Sequence, residues 1–417
     1  MSEAADISLP ASKGIQKSNA GLFVLSFLSS MLGGAISSLI STYLPQVAAE
    51  LLHNTSHQVN DDISSVINSV SLFGWTVGGI TWGFMCDSLG RKKSFQFATL
   101  CYGLASILTG FSPTWFFVVI FRFLSGFGIG GVLVITTMLV SEGYENQKRS
   151  VLLGILSISI PLGFFSSGLL TYFVSQWRWA FMIGIIPVII AIVSSILMSE
   201  SSKWRDIKLS DKGNRNNLFQ LFFGEYRISL WTGVAIFGAP LIGLWATVSW
   251  LPFWIHDLTK EGESLKSGAL AMMLVGAGGL GGGIISGWIV NAIGIKKTLL
   301  GCFGASFAIA FILFFLTTRI GLISYIEVAL LSIFFGISQG ALSIYIPELF
   351  PVSVGATATG LCFNVGRILT VLAVFFIGSL VQRLGGFGHS IFYFSFVFLV
   401  AFLITLFNRQ PVYPNSK

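Results

Sequence analysis

Charge is what this chain has least of. Asp, Glu, Lys and Arg make up 10% of its 417 residues, against 54% hydrophobic and 14% aromatic, and the mean hydropathy is +0.83. Soluble domains carry about a quarter charged residues, so a water-facing surface cannot be built from this composition. Cysteine is scarce too. Cys86, Cys101, Cys302 and Cys362 fall in or at the edge of apolar segments, with no CxxC pair and no histidine at ligand spacing. That pattern gives neither a disulfide framework nor a zinc site, and no metal or cofactor is expected. The first twenty residues are polar throughout, which is unlike a secretory leader; the N-terminal tail is expected to stay on, in the cytoplasm. The net charge of +7 sits in short basic clusters between apolar segments, a pattern that argues for orientation in a membrane and not for nucleic acid.

What is present is a series of apolar runs. A helix rises 1.5 Å per residue and needs about 20 apolar residues to cross a hydrocarbon core of ~30 Å. Stretches near 20–45, 64–86, 94–112, 115–141, 150–175, 178–199, 228–256, 265–292, 296–317, 320–346, 352–382 and 388–408 meet this requirement, which makes twelve spans. With the N-terminus inside, seventeen of the 24 basic residues fall on the inner side and five on the outer, and both termini are then cytoplasmic. The expected organisation is a tail over 1–19, a six-helix bundle over 20–199, a cytoplasmic connection over 200–227, a second six-helix bundle over 228–408 and a tail over 409–417.

The chain repeats itself at half length. Gly83-Phe-Met-Cys-Asp87-Ser-Leu-Gly90-Arg91-Lys92-Lys93 follows the second span, and Gly287-Trp-Ile-Val-Asn291-Ala-Ile-Gly294-Ile-Lys296-Lys297 follows the eighth, 204 residues later. Ser141-Glu142 after span four and Pro347-Glu348 after span ten stand 206 apart, as do Gly154 and Gly360. The loop from Gly83 to Lys92 resembles the major facilitator signature G-x-x-x-D-x-x-G-R-K, and Arg122-Phe-Leu-Ser-Gly126-Phe-Gly128-Ile-Gly130 is similar to that superfamily's R-x-x-x-G-x-G-x-G element. Within it, Trp177-Arg-Trp, Ser199-Glu200-Ser-Ser-Lys-Trp204 and Pro347-Glu-Leu-Phe-Pro351 with Asn364-Val-Gly-Arg367 look like the metabolite:proton symporters and organic-ion carriers, sialate-type carriers included. The resemblance implies an all-α integral membrane protein of twelve helices in two pseudo-symmetric bundles, in the cell membrane, working as a monomer by alternating access.

It also implies a cytoplasmic latch. Asp87, Arg91 and Glu142 would pair at the inner ends of spans two to four, with Gly83, Gly90 and Arg149 completing the motif and Asn291 and Glu348 as counterparts in the second half. Asn291 replaces the acid and Gly355 stands where relatives carry a basic residue, so the second latch should be weaker. The alternative is plainer: Asp87 caps the third helix, and Arg91, Lys92 and Lys93 orient the protein by charge.

Two arginines lie within spans, where insertion scales place Arg about 2.5–3.5 kcal/mol uphill near a helix centre. Arg367 falls sixteen residues along span eleven from Pro351, near the midplane, with Asn364 one turn away on the same face. A guanidinium matches a carboxylate with two donors, so the pair is a candidate anion site; a structural arginine bonded to main chain is the alternative. Arg122 could serve a substrate or proton site, or helix packing. Tyr43, Trp75, Trp245, Gln339, Ser343 and Tyr345 could complete a cavity or simply pack. Proton symport needs an acid in the path, and the nearest is Glu327 in span ten; His53, His57, His256 and His389 all lie at span ends or in loops. Glycine runs such as Gly276 to Gly283 lack the Lys-Ser/Thr of a phosphate loop and suit close helix packing.

The expected function is secondary transport of a small organic anion, a carboxylate or acidic sugar, coupled to protons. A neutral sugar or polyol carrier, and a uniporter or exchanger, are the alternatives. A non-transporting receptor would show long soluble extensions or a degraded motif, and an enzyme would need a nucleophile–base pair or metal cluster; neither is seen.

Overall fold

The computed structural model describes residues 20–52, 57–144, 146–200, 224, 226–259, 263–350 and 352–408. In hydrocarbon a backbone satisfies its N–H and C=O groups only within its own segment, so each long apolar run becomes a helix, and the described residues contain no strand. The crossings are α1 (Ala20–Leu51), α2 (His57–Leu89), α3 (Arg91–Gly110), α4 (Trp115–Gly143), α5 (Asn146–Ser157 and Ser159–Phe173) and α6 (Trp177–Leu197). The second set is α7 (Arg227–Leu258), α8 (Ser264–Ile293), α9 (Ile295–Leu316), α10 (Leu322–Glu348), α11 (Val352–Ser379) and α12 (Phe387–Phe407).

Eleven of these are long and apolar enough to cross a membrane by length and composition. The exception is α3, which opens on Arg91, Lys92 and Lys93 and buries Thr99, Ser106 and Thr109 against its neighbours. Several helices run past the apolar stretch that marks them, α2 by seven residues at its start, because a helix needs no apolar side chain to continue through the interface. The fifth crossing is interrupted at Ile158. Pro161 explains this: it has no N–H to offer the Ser157 carbonyl, and its ring crowds that oxygen.

The half-length repeat is physical. Helix pairs α2–α4, α3–α4, α1–α5 and α3–α6 recur six crossings later as α8–α10, α9–α10, α7–α11 and α9–α12. Between the halves, α2 packs on α11 and α5 on α8, and those two contacts exchange under the same operation. Glycines carry the match down to single atoms. A Cβ on Gly78 would overlap the Phe127 carbonyl oxygen, and one on Gly282 that of Ile333; a Cβ on Gly130 would overlap the Trp75 oxygen, and one on Gly336 that of Gly279. These partners stand 204 or 206 residues apart, the spacings seen in the motifs. Both repeat loops also turn on a glycine with positive φ, 98° at Gly90 and 84° at Gly294, where a Cβ would be strained.

All twelve crossings therefore place their ends on two levels, called here the Gly90 end and the Glu50 end. From the Glu50 end to mid-depth the halves touch through Gln382 Nε2 donating to Asp61 Oδ2 (2.7 Å), Asn68 Nδ2 donating to the Ser249 carbonyl (3.3 Å), and the rings of Trp75 and Phe164 against Trp245.

Candidate functional site

The mid-depth of the seam is set by small residues. α2, packed closely on α4 at Gly130, presents Gly79 where α11 passes, and α11 places Arg367 and Asn364 there: a Cβ on Gly79 would lie 3.7 Å from Arg367 Nη1 and 3.8 Å from Asn364 Oδ1. Asn364 Nδ2 donates to the Gly360 carbonyl (2.9 Å), which orients its Oδ1 to accept from Arg367 Nη1 at 3.4 Å. That is the one hydrogen bond of the guanidinium among the described residues, out of five N–H donors. The residue 206 positions earlier is Pro161, which packs on Gly279 of α8. One of two symmetry-related places thus carries a permanent charge and the other a proline.

Next to this level along α2, toward the Glu50 end, stands an aromatic cluster. Trp75 and Trp245 meet edge to face (5.3 Å between centroids, 82°), and Phe164 meets Trp245 likewise (5.9 Å, 83°). Trp75 Nε1 is buried without a hydrogen-bond partner. Beyond it lies a small polar pocket, about the size of one water, lined by Ser37, Ser41, Asn68, Ser71, Trp245 and Ser249 among others. Ser41 Oγ donates to Asn68 Oδ1 (3.2 Å).

Other residues singled out in the sequence stand elsewhere. Arg122 is wholly buried inside the first bundle: Nη1 donates to the Ile36 carbonyl (3.1 Å), Nη2 to Thr109 Oγ1 (3.3 Å), its carbon lies 4.8 Å from the Phe181 ring centre, and Nε has no partner. This placement supports the packing alternative. The Tyr43 hydroxyl donates to the Val174 main chain within the same bundle. Gln339, with Nε2 buried and unpartnered, is on α10 one turn beyond Gly336. Glu327 stands five residues into α10, and its Oε2 is buried with no partner.

At the Gly90 end, Arg91 Nε donates to Glu142 Oε1 and Oε2 (3.1 and 3.2 Å), Nη2 to Oε1 (3.0 Å) and Nη1 to the Cys86 carbonyl (3.0 Å). The fork-to-carboxylate geometry is that of a strong charge-assisted pair. The side chains of Asp87 and Arg149 lie outside the described residues. Glu200 is a member that sequence reasoning missed. It accepts from the backbone N–H of Arg91 (2.8 Å) and of Lys92 (3.2 and 3.3 Å), so a residue from beyond α6 caps α3. Gly90 has no side chain to do so, and an acid just after a span, facing a basic helix start, was the available signal. Glu200→Ala is expected to lower stability by about 1–2 kcal/mol, read as a drop in thermal unfolding midpoint, with Glu200→Gln losing less.

The second half does not copy this cluster. Ile295 occupies the place 204 residues after Arg91, Asn291 is exposed in the last turn of α8, and Glu348, 206 residues after Glu142, has no ion pair among the described residues. One element is shared: Lys92 Nζ donates to the Ser195 carbonyl (2.7 Å) and Lys296 Nζ to those of Leu406 and Asn408 (3.0 and 3.3 Å). At the Glu50 end, Glu50 accepts from Trp177 Nε1 (2.6 Å) and from Arg178 Nη2 (2.8 Å), giving the Trp177-Arg178 pair a partner that the sequence did not reveal.

The comparisons with known proteins follow this geometry. A cis,cis-muconate transport protein of Acinetobacter baylyi is 25% identical over 374 residues, covering 86% of each chain. A niacin transporter of the same organism is 27% identical over 83% of this chain and 85% of its own, and a sialic acid transporter of Escherichia coli is 26% identical over 74% and 75%. The fold matches a crystal structure of a D-xylose-proton symporter with a TM-score of 0.78 at 17% identity, over 95% of this chain and 99% of that one. The Major Facilitator Superfamily profile matches residues 22–373. A doubled six-helix architecture, a mid-depth seam and a family match over most of the chain lead to one statement: this protein belongs to the Major Facilitator Superfamily and is a multi-pass membrane transporter, not an enzyme.

Proposed function

We propose that the protein carries a small organic anion across the cell membrane by alternating access, with the solute's carboxylate held by Arg367 and steadied by Asn364. The observation that carries this is Arg367 at mid-depth in the seam, with a single hydrogen bond to a side chain and, among the described residues, no main-chain carbonyl taking up its fork. A planar bidentate donor in that position fits a carboxylate. Trp75, Trp245 and Phe164 offer apolar edges for the remainder of the solute. Relatives named for cis,cis-muconate and sialic acid agree with an acidic cargo.

The Gly90 end, where Arg91, Lys92, Lys93, Lys296 and Lys297 gather, is read as cytoplasmic, which puts both termini inside. Arg91, Glu142 and Glu200, with Asp87 and Arg149, are read as the inner latch, and residues 20–199 and 228–408 as two bundles that rock as a monomeric unit. The lack of an ion pair for Glu348 among the described residues and the isoleucine at 295 support a one-sided latch. Proton coupling draws no support from the placement of Glu327 beside the outer end of α10.

A neutral sugar is the second reading, favoured by the hydroxyl and amide groups of Ser37, Ser41, Asn68, Ser71 and Ser249 gathered beside Trp245. A thermal-shift panel on the purified protein separates the two. cis,cis-Muconate, niacin or N-acetylneuraminate is expected to raise the unfolding midpoint, since a ligand at 100 times its Kd stabilises by about 2.7 kcal/mol, while D-xylose and D-glucose leave it unchanged. A response to the sugars alone would overturn the anion reading.

A further inference from the structure

The distribution of acids in depth extends that reading to the mode of transport, and rests on it. Every Asp and Glu among the described residues lies within five positions of a helix end or outside the helices; Asp62 and Glu327 are the deepest. At 1.5 Å per residue that is about 8 Å from the end. Arg367 is fifteen residues from Val352 and twelve from Ser379, about 18–22 Å from either end of its helix. The end-level acids are engaged there: Glu142 with Arg91, Glu50 with Arg178 and Asp61 with Gln382.

Nor can the surroundings of Arg367 supply a counter-charge. The helix of the first half that meets it, α2, does so through Gly79, which has no side chain; its own helix offers the neutral Asn364, and α7 packs along α11 through Gly238 at Gly366 and Phe237 on Phe363. Arg367 has no ion pair among the described residues. Arg122, the other deep charge, is also positive and is enclosed in its own bundle. Among the described residues, charge at mid-depth is therefore of one sign.

We infer that the protein is an obligate exchanger of organic anions, in which the carboxylate of the cargo is the counter-charge that lets Arg367 pass through the closed, water-poor intermediate. With an anion bound, the fork is neutralised and the halves can rock. Empty, the carrier must enclose an unpaired guanidinium, so the empty return is slow and the cycle is completed by a second anion moving the other way. The guanidinium stays protonated throughout, so no proton is carried by this pair and a pH gradient has no group at mid-depth on which to act.

The test uses the full chain in proteoliposomes, loaded in turn with labelled cis,cis-muconate, niacin and N-acetylneuraminate. Efflux is followed into buffer with or without the same unlabelled acid, and with or without an imposed pH gradient. Efflux is expected to be at least about tenfold faster with acid outside, a barrier difference of one decade, and the pH gradient is expected to leave efflux into acid-free buffer unchanged. Equal efflux with and without external acid, or acceleration by the pH gradient alone, overturns exchange while leaving the anion reading intact. Movement of none of the three acids under any condition overturns both.

Discussion

Replacing Arg367 with alanine is expected to raise the dissociation constant for a carried carboxylate by about 30-fold or more. Truncating one member of a desolvated charge pair costs about 2–5 kcal/mol, and each 1.4 kcal/mol is a factor of ten. Arg367→Lys keeps the charge but loses the planar fork, so its loss is expected to be smaller than that of alanine. Asn364→Ala is expected to weaken binding less again, because Asn364 Oδ1 holds only one of the guanidinium donors, at 3.4 Å. Calorimetric titration of the purified variants gives the three values in order. An Arg367→Ala protein that binds acid as well as the parent would remove Arg367 from the site. Retained folding is checked by its thermal midpoint, which the loss of one weak internal hydrogen bond should hardly move.

Gly78→Ala is expected to lower stability by about 2–3 kcal/mol, because overpacking at a site where the obstacle is main chain cannot be relieved by a rotamer change. The obstacle is the Phe127 carbonyl oxygen on α4, which the new methyl would overlap. Gly282→Ala should do the same in the second half, against the Ile333 oxygen. Gly83→Ala, only five residues along α2, is expected to behave in the opposite sense. A Cβ there meets nothing within 4 Å, and alanine gains up to about 1 kcal/mol over glycine in a helix interior. Thermal unfolding in detergent decides: if Gly78 and Gly83 respond alike, backbone approach is not what fixes the α2–α4 spacing. The contrast is useful because Gly83 belongs to the signature and Gly78 does not.

Much of this architecture could be read from the amino acids alone. Apolar run length fixes a helix in lipid, and the spacings of 204 and 206 between motifs reappear as matching glycine contacts, since duplicated sequence folds to duplicated packing. Arg367 and Asn364 were legible because a charge in an apolar run is costly and a neighbour three residues away shares its face. The rest required coordinates. Glu200 and Glu50 act on residues about a hundred positions away in the chain, and no periodicity links them to Arg91 or Arg178. The tie of Tyr43 to Val174, and the enclosure of Arg122 between α1, α3 and α6, depend on how a bundle closes. Helix spacing says which face a residue occupies, not whether that face meets the seam or a sister helix. Likewise a span predicted over 150–175 hides the break at Ile158, although Pro161 was visible all along.

With Arg367 as the proposed anion site, its inequality with Pro161 gives the seam between the halves a polarity across its width. The two halves meet at mid-depth through unlike partners: α2 and α11 bring a guanidinium, α5 and α8 a pyrrolidine ring with Phe164 close by, so on the proposed reading only the first pair attracts an acidic head. A solute acidic at one end and greasy at the other would lie crosswise in a single pose. The pose related to it by the rotation between the halves would set the head against proline and leave the guanidinium facing a hydrocarbon tail. A doubled architecture would in this way distinguish the two ends of its cargo.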